Sequence, residues 1–464
     1  MTRSGTIDDG IDAELLERYD RPGPRYTSYP TVPTWHDGVG NETYRTALTD
    51  ASRRPGEPFA LYAHLPFCRS RCFYCGCNTT TSRDPERIAR YVGRLGDEMD
   101  AVARLLGDRR TVAQLHLGGG TPTAIGLDAL DSLVGRVRST FALAPVAELS
   151  IEVDPRVVGP DDIGRLRAIG FDRVSFGVQD VDPDVQRAIG RRQPTAQVRA
   201  VLEAARDVGF RSVNVDLICG LPRQTPSGFA ATLDTVVGMR PDRIALYSYA
   251  HLPTLRRNQA RIATADLPDP ATKHRLAADA ASAFGAAGYV RIGMDHYALA
   301  HDELALAHAE GRLRRTFMGY TVQDADEWIG LGSSAIGYVG RTYVQNHAEV
   351  GAYEQAVEAT SLAVRRGLEL SDDDVVRRHV IGELMCNLAL RFDDLRDRFG
   401  VDYADRFAEE DRVLEPLVAD GLVVREPDAL VVTPLGRTFV RNVAMVFDSR
   451  LRTATVRPTF SRTV

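Results

Sequence analysis

The sequence predicts an α/β protein built as a partial (β/α)6 barrel, followed by a mostly helical, winged-helix-like C-terminal domain. Over the first two thirds of the chain, short apolar runs alternate with segments of helical spacing, and small or polar residues follow each apolar run. Alternating strands and helices favour a parallel sheet. Six such units instead of eight predict a barrel that is open on one side.

The six predicted strands are short runs that are rich in β-forming residues and apolar enough to be buried. They lie at residues 59–67, 114–120, 147–155, 173–179, 212–220 and 243–250. Helical spacing is clearest in the segments at 88–107, 196–209 and 273–288. A distinctive segment ends each strand. In chain order these segments are the cysteines and aromatics after the first strand, then GGGTPT, EVDP, GVQD, DLICGLP and SYAHLP. Because an α/β barrel builds its site at these strand ends, we expect the functional residues there.

From about residue 365 the pattern changes. Helical stretches lead into GLVVREPDALVVTPLGRTFV, where two β-rich runs flank a Pro-Asp turn, and another helix follows. We interpret this winged-helix-like module as a helical cap on the barrel in preference to a DNA-binding unit, because no basic recognition helix stands out. The predicted segments are an N-terminal arm over the barrel mouth (1–54), the barrel (55–364) and the C-terminal domain (365–464).

Composition narrows the class of protein. The 464 residues are 44% hydrophobic, which allows a sizeable core, and the formal net charge of −6 argues against a dedicated nucleic-acid binder. The opening MTRSGTIDDGIDAELL carries acids where a signal peptide is apolar, and no apolar run approaches the roughly 18 residues that span a bilayer. We therefore expect a cytoplasmic protein without a nucleic-acid or membrane partner.

The most distinctive segment is HLPFCRSRCFYCGCN, which holds four of the six cysteines of the chain. In a reducing cytoplasm such a cluster indicates metal or redox chemistry more than disulfides. Cys68, Cys72 and Cys75 follow the spacing C-x3-C-x2-C, and Cys77 comes two residues later. Zinc usually takes two short pairs separated by a longer span, and no second pair exists here. An iron–sulfur cluster therefore fits better, and zinc is the alternative.

Three ligands would leave one iron open, as a catalytic metal site requires, so we expect Cys77 to lie beside the cluster without binding it. A fourth ligand would close the cluster and indicate an electron carrier. The chain has one lysine, Lys273, which removes most candidates for a Schiff-base or P-loop lysine.

The cysteine loop, with the aromatic Tyr74 before its third cysteine, resembles that of the radical S-adenosylmethionine (SAM) enzymes. Longer stretches resemble one family in particular, the oxygen-independent coproporphyrinogen III oxidases. They include GPRYTSYPT, LHLGGGTPT, NVDLICGLPRQTP, GLGSSAIG and RNVAMVFD, and they run in order through nearly the whole chain. The resemblance implies a radical SAM barrel and a [4Fe-4S] cluster on Cys68, Cys72 and Cys75.

The resemblance also implies two SAM molecules, one on the cluster and one beside it. The positions that match the first are Tyr62, Gly119, Glu152 and Ile336. Those that match the second are Tyr74, Gly120, Thr121, Gln179, Arg191, Asp216 and Ala250. The residue types suit the role, because glycines let backbone approach a ligand, carboxylates accept from ribose hydroxyls and arginine forks onto a carboxylate. Met318 departs from the family pattern, where glutamine is usual near the second SAM.

The implied activity is oxidative decarboxylation of two propionates of coproporphyrinogen III to vinyl groups, which gives protoporphyrinogen IX in haem biosynthesis. It requires an electron donor, such as a flavodoxin-like protein or a reductase, and the family favours a monomer. Four propionates need cations, and among the arginines Arg25 is the best placed because it lies between aromatics and prolines. The other candidates are Arg256, Arg257, Arg312, Arg314 and Arg315. The alternative is a haem-binding relative of the same family, which typically has an aromatic where this chain has Cys77.

Overall fold

The computed structural model describes residues 13–453 and 460–463 and divides into two compact units. The barrel unit comprises residues 36–277 and 323–369, and the second unit comprises 1–35, 278–322 and 370–464. This division differs from the predicted segments, whose boundaries at 54/55 and 364/365 stay a prediction. Residues 1–12, which are part of the segment used to predict a cytoplasmic location, lie outside the described residues.

Strands and helices alternate along much of the chain. The strands are β1 (Phe59–Leu65), β2 (Phe67–Cys68), β3 (Thr80–Thr81), β4 (Thr111–Gly119), β5 (Ala142–Val153), β6 (Arg173–Gln179), β7 (Ser212–Cys219), β8 (Arg243–Ser248), β9 (Tyr289–Ile292), β10 (His296–Leu299), β11 (Arg314–Thr316), β12 (Gly319–Thr321), β13 (Trp328–Leu331), β14 (Ile336–Val339), β15 (Thr342–Asn346), β16 (Val364–Glu369), β17 (Ala389–Arg391), β18 (Val423–Arg425) and β19 (Ala429–Val432). The helices are α1 (Ala13–Tyr19), α2 (Asn41–Ala51), α3 (Pro85–Leu106), α4 (Leu127–Thr140), α5 (Pro160–Ile169), α6 (Pro183–Ala188), α7 (Thr195–Asp207), α8 (Pro226–Met239), α9 (Pro270–Ala286), α10 (Glu303–Ala309), α11 (Val350–Thr360), α12 (Asp372–Asn387), α13 (Phe392–Phe399), α14 (Tyr403–Arg406), α15 (Ala408–Val413), α16 (Glu415–Ala419), α17 (Val440–Val446) and α18 (Ser449–Thr453).

The centre of the barrel unit is a run of parallel strands in the order β1, β4, β5, β6, β7, β8. These are the six predicted strands, and helices connect them, so the predicted partial (β/α)6 barrel is confirmed. Leu61, Leu115 and Leu149 lie opposite one another on three neighbouring strands, and all three are buried. Strands buried on both faces carry nearly continuous apolar runs, which is why the sequence located them.

The sheet continues on the other side of β1, in a part that the sequence did not predict. Strand β13 pairs parallel with β1, and β14, β15 and β16 follow by antiparallel pairing. Side-chain caps mark the starts of two of the helices that connect the parallel strands. Asp84 accepts from the backbone N–H of Glu86 at the start of α3, and Thr225 accepts from that of Gly228 at the start of α8. Each capped N–H would otherwise lack a partner within its helix.

The second unit contains two antiparallel hairpins, β9–β10 and β11–β12, and the antiparallel sheet β17–β19–β18. Its core joins helix α12 to α17 and to this small sheet, with Leu384, Leu390, Leu430, Val443 and Phe447 buried at its centre. The predicted helical, winged-helix-like domain with a turn between two strands is thereby confirmed. Within the described residues, none of the helices has the length and apolar character that a membrane crossing requires.

Candidate functional site

The cysteine loop leaves the carboxyl end of β1 and returns through a short pairing. Strand β2 pairs parallel with β3, so the loop is closed at its base. The Cys72 side chain is buried, those of Cys68 and Cys75 are half-buried, and Cys77 is exposed. The three predicted ligands are therefore more shielded from water than the fourth cysteine.

Two amides hold the loop backbone. Asn258 Nδ2 donates to the carbonyl oxygens of Cys72 at 3.2 Å and Cys75 at 2.9 Å, and Gln259 Nε2 donates to that of Tyr74 at 2.8 Å. Both amides follow the last parallel strand, β8, whereas the loop follows the first. Neither residue was predicted as part of the site, because nothing in the local sequence signals a contact with a loop so distant along the chain.

Cys77 contacts Cys75 within the loop. A hydrogen bond from Cys77 is the main reason why the pKa of the Cys75 thiol is lowered to about 6, against the opposing effect of burial. The same hydrogen bond is the main reason why the pKa of Cys77 is raised well above its ordinary value. Since the pKa of Cys77 is raised and that of Cys75 is lowered, we take Cys77 as the protonated partner of this pair.

A charged group surrounds the sulfur of Cys72. Arg191 donates from Nη1 to Cys72 Sγ at 3.5 Å and contacts both carboxylate oxygens of Asp154 at 3.1 Å. Arg156 makes a second contact with the same sulfur at 3.5 Å and the same carboxylate. Burial would raise the pKa of Asp154, but the two guanidiniums outweigh it and the pKa is lowered, so Asp154 is ionised.

Glu152 and His116 form a second polar group, at the ends of β5 and β4. Glu152 accepts from the backbone N–H of Gly119 at 3.1 Å and lies 3.4 Å from His116 Nε2. The ring of Tyr62, opposite His116 in the sheet, stacks on the imidazole with a centroid distance of 5.8 Å. Burial opposes ionisation of Glu152, but the hydrogen bond and charge of His116 prevail and its pKa is lowered.

His116 was not among the predicted site residues. Its signal was available, because it lies two positions before Gly118 and side chains two apart on a strand share one face. Its Nδ1 bonds to Ser150 Oγ at 2.7 Å, which fixes the ring beside Glu152.

Gly119 at the end of β4 and Gly120 after it lie against the end of β1 and the start of the cysteine loop. A Cβ at Gly119, where φ is +111°, would lie 2.6 Å from Cε1 of His64. At Gly120 a Cβ would lie 2.6 Å from the carbonyl oxygen of Phe67 and 2.7 Å from backbone atoms of Pro66. Glycine is thus needed at these two positions for the loop to pack. This requirement is separate from the one predicted from the sequence, which is the close approach of a ligand to the backbone.

The remaining predicted SAM residues lie around these groups at strand ends. Thr121 Oγ1 lies 3.6 Å from Cys68 Sγ. Asp216 accepts from Ser175 Oγ at 3.1 Å and from Asn214 Nδ2 at 2.8 Å, so its carboxylate is held in a polar network across β6 and β7.

Two of the predicted residues contribute backbone carbonyls, and a third has unusual backbone geometry. Ala250 O accepts from Gln259 Nε2 at 3.2 Å, and Ile336 O accepts from Trp328 Nε1 at 3.1 Å. Ile336 begins β14, in the part of the sheet that the sequence did not predict. Gln179 is buried and has a φ of +70°, which is uncommon for a residue other than glycine.

Arg25 and Met318 belong to the second unit. Arg25 pairs with the buried carboxylate of Asp295, and this charge, outweighing the effect of burial, lowers the pKa of Asp295. Arg315 donates to the carbonyl oxygen of Arg25 at 3.2 Å. Met318 lies in the turn between β11 and β12, where its N–H donates to Thr316 Oγ1.

The loop suits an iron–sulfur cluster by its donor chemistry. It offers three thiols, and two guanidiniums lie within 3.5 Å of the sulfur of one of them, Cys72. The buried Nε of Arg191 has no hydrogen-bond partner within the described part of the chain, so a donor is available for an anionic ligand next to the loop. As the side chains stand in residues 13–453 and 460–463, no three His, Cys, Asp or Glu form a preformed metal-binding group.

Comparison with known proteins gives long matches. The family described as "Radical SAM superfamily" matches residues 62–236, and the "HemN C-terminal domain" matches 370–439. Oxygen-independent coproporphyrinogen III oxidases from Pseudomonas aeruginosa and Escherichia coli are 44% and 42% identical to this chain, each over 98% of both chains. A solved structure of coproporphyrinogen III oxidase (HemN) from Escherichia coli, described as a radical SAM enzyme, superposes with a TM-score of 0.91 at 41% identity, covering 96% of this chain and 100% of that chain.

Proposed function

Because the chain belongs to the oxygen-independent coproporphyrinogen III oxidases, a family of radical SAM enzymes, we propose that it converts two propionates of coproporphyrinogen III to vinyl groups. The product is protoporphyrinogen IX, in haem biosynthesis. The observation that carries the proposal is the 44% identity over 98% of both chains, which spans the barrel and the C-terminal domain alike. The relatives are named as oxidases, which favours this reading over the haem-binding alternative.

In this proposal Cys68, Cys72 and Cys75 hold a [4Fe-4S] cluster and Cys77 stays outside it as a hydrogen-bond donor. The exposure of Cys77 and its hydrogen bond to Cys75 support that assignment. When bound, the cluster and SAM would supply a 5′-deoxyadenosyl radical, which would take a β-hydrogen from a propionate. The substrate radical would then pass one electron to an acceptor and release carbon dioxide, leaving the vinyl group. The protein positions the propionate carbon and excludes water and oxygen.

We assign the first SAM to Tyr62, Gly119, Glu152 and Ile336. Ionised Glu152 supports this role, because a carboxylate can accept hydrogen bonds from ribose hydroxyls. His116 has a positioning role, since it holds Glu152 ionised and stacks on Tyr62.

We assign a second SAM to the group that contains Arg191 and Asp216. The unpartnered Nε of Arg191 supports it, since a guanidinium can fork onto a methionine carboxylate. The full set is Tyr74, Gly120, Thr121, Gln179, Arg191, Asp216 and Ala250. Met318 stands where the family usually has glutamine, and its thioether lacks the two donors of an amide.

We further propose that Arg25 binds a substrate propionate, exchanging its ion pair with Asp295 for the substrate carboxylate. Among the other arginine candidates, Arg312 is exposed and pairs with an exposed carboxylate, Glu310. The enzyme would act as a cytoplasmic monomer and would take electrons from a flavodoxin-like protein or a reductase.

The test is anaerobic reconstitution of the cluster, followed by addition of SAM, dithionite and coproporphyrinogen III. The expected result is protoporphyrinogen IX with two molecules of carbon dioxide per porphyrinogen. A Cys72→Ser variant is the control and should yield no vinyl product. Stoichiometric haem binding without vinyl product would establish the haem-binding alternative instead.

A further inference from the structure

We propose that Arg156 is a positioning residue for the cluster, which raises its reduction potential by donating a hydrogen bond to the sulfur of Cys72. The inference rests on the proposed function, because it assumes that Cys72 binds the cluster. Arg156 is not among the residues predicted to bind SAM, so this contact gives it a separate role.

The contact is built into the turn that follows β5. Asp154 begins a short 3-10 turn, and its Oδ1 accepts from the backbone N–H of Arg156 at 3.0 Å. The same carboxylate accepts from Nε of Arg156 at 3.0 and 3.1 Å and from Nη2 at 2.6 Å. The two guanidinium donors, Nε and Nη2, on one carboxylate fix the plane of the Arg156 head group. Nη2 of Arg156 also donates a hydrogen bond to Cys72 Sγ, at 3.5 Å.

The charges around Cys72 leave a positive excess. Arg156 and Arg191 both contact the sulfur, and both share the single carboxylate of Asp154. The side chains of Asp154 and Arg191 are less than a tenth exposed, and that of Arg156 is 15% exposed. Water therefore screens this cationic excess only weakly.

An electron that enters the cluster adds negative charge to the irons and their thiolates. Hydrogen bonds to the sulfurs and nearby positive charge stabilise that added charge, and they are among the factors that set iron–sulfur potentials. Arg156 should therefore make the cluster easier to reduce. Arg191 contacts the same sulfur but is also assigned to a SAM carboxylate, whereas Arg156 faces only Asp154 and Cys72 among the contacts that the structure gives it.

The test is a redox titration of the reconstituted protein with dithionite, in which one electron enters the cluster and no bond forms or breaks. The reduced cluster is followed by its electron paramagnetic resonance signal, without coproporphyrinogen III. Arg156→Gln should shift the midpoint potential to a more negative value, so that the reduced fraction falls several-fold at a fixed solution potential. Arg156→Lys keeps a cation but loses the two-donor contact with Asp154. Its midpoint potential should therefore lie between those of the unchanged protein and Arg156→Gln.

Arg165→Gln is the control, because Arg165 is a half-exposed arginine whose partner, Asp128, is itself exposed. Its midpoint should equal that of the unchanged protein. Iron and sulfide contents are measured first. If Arg156→Gln does not retain iron, Arg156→Met replaces it, because its unbranched side chain fills similar space without charge.

A midpoint that is unchanged in a neutral, cluster-loaded variant would overturn the inference and leave the proposed function intact. If the unchanged protein itself bound no cluster, the proposed function would fail.

Discussion

The backbone of Gly119 lies directly against the imidazole of His64. A Cβ at Gly119 would lie 2.6 Å from Cε1 of that ring, and the glycine has a φ of +111°. The ring cannot easily withdraw, since its Nε2 bonds to Asn78 O and its Nδ1 to Tyr62 OH, both at 2.9 Å. The end of β4 and the root of the cysteine loop therefore depend on each other.

Gly119→Ala should destabilise the protein and weaken the cysteine loop. Backbone strain at positive φ costs roughly 1 kcal/mol, and displacing the His64 ring should bring the total to about 2–4 kcal/mol. The measurements are chemical denaturation and the iron content after anaerobic reconstitution. Gly126→Ala is the matched control, because Gly126 has a φ of +92° but nothing within 4 Å of a Cβ. Equal losses in the two variants would contradict the predicted clash.

His116→Gln should make SAM binding sensitive to mild acid. Glu152 has a lowered pKa, to which His116 contributes, so in the unchanged protein it stays ionised below its ordinary pKa. Without His116 the pKa rises, and the carboxylate loses its charge at a higher pH as pH falls. Calorimetric titration of SAM into the cluster-loaded protein from pH 8 to pH 5 should show affinity falling earlier in the variant.

The control for that experiment is His301→Gln, which changes an exposed histidine of the second unit. Its affinity profile should follow that of the unchanged protein. Identical profiles for His116→Gln and the control would show that His116 does not hold the charge of Glu152.

The parallel strands were predictable because the buried stretch of each one carries a local apolar signal. The run at 212–220 became β7, Ser212–Cys219, almost unchanged. The cysteine loop was equally visible, because its spacing is local. By contrast, β13 to β16 are short, and their antiparallel pairing gave no comparable signal.

Several site residues that were not predicted from the sequence make their contacts with residues on other strands or loops. His116, Asn258 and Asp154 each contact a partner far away along the chain, and only the folded sheet brings them together. Asn258 shows the difficulty, since an Asn in a loop after a strand is ordinarily a turn residue. Its contacts with the carbonyl oxygens of Cys72, Phe73 and Cys75 depend on β1 and β8 both belonging to the barrel.

Glu98 is a fully buried carboxyl in α3, and burial raises its pKa to about 7 despite hydrogen bonds from Gly332 N–H, Tyr353 OH and Asn346 Nδ2. A raised folded-state pKa means that the native state binds the proton more tightly than the unfolded state. Native stability is therefore lost as pH rises from the ordinary pKa of 4.5 to about 7, by on the order of 3 kcal/mol.

Glu98→Gln removes that titration. The free energy of unfolding of the variant, relative to the unchanged protein, should increase between pH 5 and pH 8, whatever the fixed cost of the amide. Urea denaturation at several pH values measures the difference. Glu42→Gln, at an exposed position of α2, should show no such trend. A constant difference for Glu98→Gln would mean that the carboxyl is already ionised at pH 5.

Arg109 and Glu327 form a buried ion pair in the barrel unit, at the base of β13 next to β1. Their side chains are 2% and 8% exposed, and Glu327 also accepts from Arg54 Nη2 and from the N–H of Gly340, both at 2.7 Å. Glu327→Ala leaves the Arg109 guanidinium buried without its carboxylate. Removing one partner of a buried pair typically costs about 3–5 kcal/mol, so we expect a loss of that size in chemical denaturation.

Asp128→Ala provides the comparison, because it breaks the exposed pair between Asp128 and Arg165. Exposed pairs contribute roughly 0–1 kcal/mol, since water and salt screen both charges. The double variant Arg109→Met with Glu327→Leu should recover much of the loss, because it leaves no unpaired charge in the interior. An equal loss of unfolding free energy in Glu327→Ala and Asp128→Ala would mean that Arg109 binds water or another acceptor in the variant. The buried pair would then not be what stabilises β13 beside β1.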